Sequence, residues 1–462
     1  MTRAGRGRWS AQVNLRAIGH LIQYLRHDVL QCASIWFIFQ SVLPSPPSEN
    51  IPRHSAEWAK AMRIGNTDLS SPQSLNYLER YVNNGSPSGF TEVFTTSAST
   101  SPLGDSENFA LMNFTVPSDY PVFRFGAKPN TLGHCGFLLH PDMSDHSFWP
   151  TLDRTVGPLV TPTSSARTVR VIGYDPVYIK LSYDQLIGRT PRQIGRKQAI
   201  SAIEVSNVIS AAIDDHRLTP RFRFMREIFA EVVAPTGAEE WGYVVRESEP
   251  YPRRDDEPYL VPAFSLFAKD RKIPQDPLLL DQLLELNGGT PWEYVIDGLV
   301  RPLIEAHFAL LKTCGLQLEP HAQNILFSFD KDYRPKSVVA RDAESIDKDF
   351  GLIARHNLPV NFTELGYKCL RPNDYNYQIM HSFMFDFKMG EYLLEPLVEW
   401  LSKRCDIERA KIFSAIRDIT NDNLTGLPPD FFPSSSWFCY ANVVHDHATR
   451  REYVSCSDLK FR

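Results

Sequence analysis

Residues Leu316 to Glu344, LQLEPHAQNILFSFDKDYRPKSVVARDAE, decide how the chain is read. The segment predicts a short strand, then a tight polar turn Glu319-Pro320-His321-Ala322-Gln323-Asn324. An apolar strand Ile325 to Phe329 follows, with a turn at Asp330-Lys331-Asp332 and a returning strand Val338 to Ala340 that ends on Arg341-Asp342. Glu319, His321, Gln323, Asn324 and Asp342 therefore stand at the ends of apolar strands, which fix geometry while leaving strand ends open to a ligand. Carboxylate and amide oxygens suit Mg2+, a hard cation usually carried by nucleotide phosphates. The plainer reading is an ordinary polar turn in a hairpin.

A second cluster lies upstream, from Thr161 to Arg192: TPTSSARTVR, a strand ending in Lys180-Leu181, then Thr190-Pro191-Arg192. Taken in order, the two stretches resemble the IucA/IucC family of siderophore synthetases, which work without a nonribosomal peptide assembly line. The family's Ser-x-Arg-Thr stands here as Ser165-Ala166-Arg167-Thr168, its Lys-Leu strand as Lys180-Leu181, and its arginine twelve residues on as Arg192. Its Glu-x-His-x-Gln-Asn is Glu319, His321, Gln323 and Asn324, and its Arg-Asp is Arg341-Asp342. Val245-Arg246-Glu247 is a weaker echo of a Leu-Arg-Glu strand. The resemblance spans roughly Gly133 to Asp342. It departs from the family at Gly133-His134-Cys135-Gly136 and His140-Pro141, where the family's Gly-His-Pro-x-His-Pro is followed by a lysine and an arginine that this chain lacks.

The resemblance implies an α+β cupped-hand fold of thumb, fingers and palm. On that reading residues 1–120 are an N-terminal extension and thumb, residues 121–275 a fingers domain on an antiparallel sheet, and residues 276–462 a mainly helical C-terminal palm. It also implies adenylation of a polycarboxylic acid by ATP with Mg2+, then attack by an amine or alcohol to give an amide or ester. Ser165, Arg167 and Lys180 would hold the phosphates, with His321, Asn324 and Asp342 completing the nucleotide pocket. Glu319 and Asp342 are the metal candidates. Thr168, Arg192, Gln323 and His134 would meet the carboxylate substrate, a task suited to arginine's bidentate fork. Lys180, Arg192 and His321 would carry the catalysis. Many family members are homodimers. Because the segment around His134 departs from the pattern, an acid other than citrate is the favoured version.

Two other function classes stay open. A kinase-like phosphotransferase also places an acid five residues before an asparagine, as Glu319 and Asn324 do, with a later metal-binding aspartate; no Gly-rich nucleotide loop accompanies it here. A non-catalytic binding protein on the same fold would fit the missing lysine and arginine.

The bulk properties agree with a globular chain. It has 462 residues, 43% hydrophobic and 22% charged, with a formal net charge of -5 and a pI near 6.2, which gives no basic surface for nucleic acid. Seven cysteines, odd in number and without a C-x-x-C pair, predict free thiols in a reducing cytoplasm. Residues 1–27 hold five arginines and no acid, the composition of a mitochondrial transit peptide or of a simple extension. Val29 to Leu43 is too short for a membrane span and reads as a buried helix.

Along the chain, short helices are expected over Ala56 to Ile64 and Ser74 to Asn84, and a strand over Val122 to Phe125. The evenly spaced His134, His140 and His146 match neither a helix face nor a strand face, which argues against a metal site. Thr190-Pro191 predicts an N-cap and N1 proline for a helix to about Ile213, with Arg192 in its first turn. Phe222 to Val233 reads as a helix, Gly242 to Val245 as a strand and Ala263 to Ala268 as a strand. Thr290-Pro291-Trp292-Glu293 predicts a capping box for a long helix kinked at Pro302 and ending at Gly315. Beyond Asp342, amphipathic runs predict core-covering helices.

Overall fold

Alternation of buried and polar positions builds the largest element of the computed structural model, an eight-stranded sheet. The structure describes residues 72–83, 99–102, 104, 107–173, 176–187, 190–364, 368–445 and 448–462, all within one contact unit, His54–Arg462. The expectations for residues 1–27, Val29 to Leu43 and Ala56 to Ile64 lie outside them. Among the described residues no helix is long and apolar enough to cross a membrane.

The sheet uses β1 (Phe109–Phe114), β2 (Val122–Gly126), β3 (Phe137–Leu139), β4 (Arg154–Pro162), β5 (Thr168–Val171) and β6 (Val177–Leu181). After the small hairpin of β7 (Tyr183–Ile187) and β8 (Thr190–Arg192), and after β9 (Phe222–Phe224), it is completed by β10 (Glu227–Val233) and β11 (Trp241–Glu247). Its order is β2-β10-β11-β6-β5-β4-β1-β3, antiparallel throughout. One face carries Val169, Ile179, Leu181, Tyr243 and Val245 into a core with Phe114, Phe137, Trp149 and Trp241. The period of two then puts Thr168, Arg170, Tyr178, Lys180 and Arg246 together on the opposite face, because residues directly across a ladder share a side.

A second, four-stranded sheet has the order β12-β14-β15-β9, from β12 (Tyr259–Pro262), β14 (Ile325–Phe329), β15 (Pro335–Ala340) and β9; β13 (Leu316–Gln317) precedes its hairpin. The β14–β15 hairpin is antiparallel, whereas β9 joins β15 in parallel. Strands β16 (Asp347–Asp349) and β17 (Cys369–Leu370) form a three-stranded sheet with β13. Helices follow at Tyr377–Ser382, a π-helical run Phe383–Leu394, Glu395–Cys405 and Arg409–Leu424. The molecule is thus α+β with a large antiparallel sheet and a helical C-terminal part. A closing hairpin of β18 (Trp437–His445) and β19 (Ala448–Cys456) was not anticipated from sequence. The thiols of Cys439 and Cys456 face each other across it at 3.8 Å.

Three local expectations are corrected. Phe222 to Val233 is not a helix but β9 and β10, because this apolar run satisfies both periods and its pairing to β15, β11 and β2 decides. Thr190-Pro191-Arg192 is a strand, not a helix start. The helix is Arg196–Asp214, entered through Gly195, whose N–H donates to Gln198 Oε1 at 3.2 Å. Ala263 to Ala268 is not a strand: β12 ends at Pro262, and a helical turn, Ala263–Leu266, follows.

Thr290 does cap its helix, accepting the Glu293 N–H at 3.2 Å. The kink expected at Pro302 takes the form of a π-helical run, Glu293–Val300, before the α-helix Arg301–Cys314. Proline offers no N–H to the turn behind it, so the carbonyls of Asp297 and Gly298 turn to Arg221, which donates to them at 3.1 and 3.0 Å. The helix ends, as expected, on left-handed Gly315 at φ 62°.

Candidate active site

The polar face of the large sheet meets the end of the β14–β15 hairpin. Lys180, on β6 and only 5% exposed, points its Nζ between two carboxylates: a hydrogen bond to Asp342 Oδ1 and an approach of 2.8 Å to Glu344 Oε2. Arg246, one strand over on β11, donates to Glu227 Oε1 at 2.7 Å and lies 3.4 Å from Asp342 Oδ1. Glu227 is directly opposite Arg246 in the β10–β11 ladder. Arg167, in the turn before β5, donates to the Arg192 carbonyl at 3.0 Å and stands 3.8 Å from Glu344 Oε2. Three cations from the large sheet therefore converge on Asp342 and Glu344.

Backbone geometry makes that convergence possible. Asp342 leaves β15 at φ 75°, a left-handed conformation unusual for a residue other than glycine, and opens the 3-10 turn Ala343–Ser345 that carries Glu344. Arg341 fixes the other flank. It is buried, pairs with Glu79 of the helix Pro72–Tyr81, and donates from Nε to the Gln323 carbonyl at 2.9 Å. Glu79 also accepts the Ser164 N–H at 3.1 Å, and Gln323 Nε2 reaches Ser164 Oγ at 3.3 Å. The Ser-rich turn and the Gln323 turn are thus tied together through one buried carboxylate.

Burial favours neutral groups, yet the acids here stay ionised. Burial raises the Asp342 carboxyl, but Lys180 and Arg246 outweigh that and hold it well below the usual carboxylate range. Glu344 is held down likewise, by Lys180 and Arg167 against its burial. Lys180 is lowered by burial and raised further by the two acids, so it remains an ammonium. Glu227 differs: burial raises its carboxyl and prevails over Arg246 and Lys180.

The polar turn is its own subsite. His321 is buried and its Nδ1 accepts the Gln323 N–H at 3.2 Å; burial pushes its pKa down to about 4, against the pull of Glu319. A neutral ring with Nδ1 accepting carries its proton on Nε2, which faces Glu319 at 3.9 Å. Glu319 is paired with Lys388 at 2.9 Å, from the π-helical run, and does not contact Lys180. Asn324 Nδ2 donates to Ser345 Oγ at 3.3 Å and so braces the turn that carries Glu344.

Of the residues expected from sequence, Lys180 and Asp342 meet directly, Arg167 reaches the same turn through Glu344, and Arg192 joins Arg167 through its carbonyl. Thr168 is across the ladder from Lys180. Ser165 is half-buried in the adjoining turn, its N–H 3.4 Å from Thr163 Oγ1. Gln323, His321 and Asn324 line the facing turn. His134 is exposed, next to the β3 edge strand, and no ion pair or hydrogen bond among the described residues joins it to the cluster. Arg192 does not sit in a helix first turn but on β8 opposite Tyr183. Sequence reasoning missed Glu344, Glu227 and Glu79. Glu344 alone had a signal, its place two residues past Asp342; the other two depend on pairings across the fold.

The donor set fits a metal-nucleotide. Asp342 and Glu344 are hard oxygen ligands, and Mg2+ needs only one or two protein carboxylates beside phosphates. Among the described residues, buried Glu227 Oε2 and Arg246 Nε have no hydrogen-bond partner, leaving polar capacity at this point. Among the described residues there is no group of three or more His, Cys, Asp or Glu able to hold a metal unaided. A cavity of about 530 Å³ lies at the far end of the hairpin, lined by Arg221, Arg254, Thr290, Tyr294 and Lys336. It contains none of these converging groups.

Residues 150–268 match the sequence model of the IucA / IucC family. No curated protein matches the chain. Among solved structures, the petrobactin biosynthesis protein AsbB from Bacillus anthracis str. Sterne is similar at TM-score 0.58 and 14% identity, over 82% of this chain and 73% of that one. ATP-bound aerobactin synthetase IucA from a hypervirulent pathotype of Klebsiella pneumoniae is similar at 0.57 and 13%, over 89% and 82%. Aerobactin synthetase IucC from the same pathotype gives 0.58 and 14%, over 80% and 73%. At such identities the likeness is one of fold.

Proposed function

We propose that this chain, whose residues 150–268 match the sequence model of the IucA / IucC family, is an ATP-dependent synthetase of that kind, joining a polycarboxylic acid to an amine or alcohol. The observation that carries the reading is the convergence of Lys180, Arg167 and Arg246 on the Asp342–Glu344 turn. Cations of that kind suit a polyphosphate, and carboxylates beside them suit its metal.

The chemistry follows from the weakness of a carboxylate as an acyl donor, whose leaving group would be oxide. In the proposed first step a carboxylate oxygen of the acid bonds to the α-phosphorus of ATP, and the bond to the β-phosphate oxygen breaks to release pyrophosphate. In the second, the amine or alcohol bonds to the activated carbonyl, AMP leaves, and the nucleophile's proton passes to solvent or a base. Lys180 and Arg167 hold the phosphates and offset charge that grows at the α-phosphate, an effect commonly worth about 3–4 kcal/mol per preorganised donor. Ser165 adds a hydroxyl at the same turn. Asp342 and Glu344 would hold Mg2+, which supplies charge neutralisation to the phosphates. Arg192, Thr168 and Gln323 orient the acid. His321, neutral and protonated on Nε2, acts as a hydrogen-bond donor and brace for the Glu319 side of the pocket. The reading carries a homodimer and a small-molecule substrate pair, with an acid other than citrate favoured because the segment around His134 lacks the family's lysine and arginine.

The test is pyrophosphate release by purified protein with ATP and Mg2+, scanned over citrate, isocitrate, succinate, 2-oxoglutarate, malonate and aspartate with hydroxylamine as nucleophile. One responding acid establishes the synthetase. ADP formation on another acceptor, without pyrophosphate, replaces it with a kinase-like transferase.

A further inference from the structure

We propose that Glu344 is a built-in anionic occupant of the phosphate-binding cations, one that nucleotide phosphates must displace, so that ATP binding by this chain is gated by a divalent cation. The inference rests on the nucleotide reading above and goes beyond it by giving Glu344 a competing role. Its Oε2 is 2.8 Å from Lys180 Nζ and 3.8 Å from Arg167 Nη2, the same two groups assigned to the phosphates. That oxygen is buried and meets Lys180 Nζ at 2.8 Å, the place a phosphate oxygen would take, while Arg167 at 3.8 Å makes only a charge contact with it. Asp342 is held more firmly, bonded to Lys180, adjacent to Arg246 and fixed by its left-handed backbone.

Charge counting sharpens the point. Lys180 and Arg167, the groups assigned to the phosphates, already face Asp342 and Glu344, so both cations are met by carboxylates before a ligand arrives. A triphosphate alone meets cations that are already paired and displaces Glu344 at full cost. A divalent cation taken by the Asp342–Glu344 pair offsets both acids and frees Lys180 and Arg167 together. Glu344 is thus a positioning residue whose removal should help metal-free binding, whereas removing a merely structural partner of Lys180 should harm it.

Isothermal titration of the full chain with ATP, in EDTA and in MgCl2, separates these outcomes. Glu344→Gln, nearly isosteric, is expected to bind ATP in EDTA about tenfold tighter than wild type, with a much smaller gain on adding Mg2+. Glu344→Asp, which keeps the charge, is expected to keep the wild-type dependence on Mg2+. Glu344→Ala repeats the measurement if the glutamine variant does not fold. If charge-removing variants bind ATP in EDTA no better than wild type while wild type binds MgATP, the inference fails and the nucleotide reading stands. If wild type binds no ATP even with Mg2+, the nucleotide reading fails and this inference with it.

Discussion

Replacing Arg221 with methionine is expected to destabilise the protein by about 2–3 kcal/mol, through carbonyls that Pro302 cannot serve. Arg221 donates from Nε to Lys336 O at 2.9 Å, from Nη1 to Asp297 O at 3.1 Å and from Nη2 to Gly298 O at 3.0 Å. Charged hydrogen bonds contribute about 1.5–3 kcal/mol each when buried. Arg221 is half-buried beside a cavity, so water recovers much of that and the sum shrinks to the stated range. A melting temperature lower by about 2–3 °C follows for a protein of this size. The discriminating assay is a double-mutant cycle with Pro302→Ala, read by urea denaturation and thermal melting. Alanine restores an N–H to the turn behind it, so Arg221→Met should cost about 1 kcal/mol less in that background. An equal cost in both backgrounds would refute the account of the π-helical run as a proline-imposed gap filled by Arg221.

Lys180→Ala should lower pyrophosphate release by about a hundredfold or more with the fold retained by circular dichroism, and unchanged turnover would remove Lys180 from the phosphate site. Arg192→Ala is expected to raise the KM for the acid while ATP affinity holds; loss of ATP affinity alone would move Arg192 to the nucleotide. Buried His140, His307 and His321 have pKa values pushed down to about 4, 3 and 4, so between the ordinary 6.5 and those values the unfolded chain binds more protons. Stability therefore rises with pH across that window, by up to about 1.4 kcal/mol per pH unit for each histidine, and denaturation midpoints at pH 5 and pH 7 measure it. His307→Phe should flatten that slope without destabilising at pH 7, because neither ring nitrogen has a hydrogen-bond partner among the described residues and Phe308 and Phe385 already pack against the ring.

The hairpin was legible in sequence because its two strands carry buried residues over a full run and its turns carry polar groups at fixed offsets. Lys180 and Asp342 could be singled out, but not their contact, since 162 residues separate them. The helix expected over Phe222 to Val233 failed because Phe222, Met225, Phe229 and Val232 fit a helical stripe as well as they fit two strands. That error also hid Glu227, whose partner Arg246 is set by ladder register. Glu79 carries no local mark of its role: on a helix it reads as a surface acid, and only Arg341 and Ser164 make it central.

The route of the chain between its two sheets bears on motion. It leaves the large sheet after β6, passes through the β7–β8 hairpin and the helix Arg196–Asp214, enters the small sheet at β9, returns to the large sheet at β10 with only Met225 and Arg226 between, and comes back to the small sheet at β12. A connection of two residues gives a hinge no arm to swing, and each sheet holds strands whose sequence neighbours lie in the other. Lys180 and Asp342 are thus anchored to surfaces that open only by unzipping backbone ladders. Ligand capture should proceed by side-chain exchange within a standing frame, with little change in the small-angle scattering radius on adding MgATP, and with association rates governed by ionic strength rather than by a slow closing step.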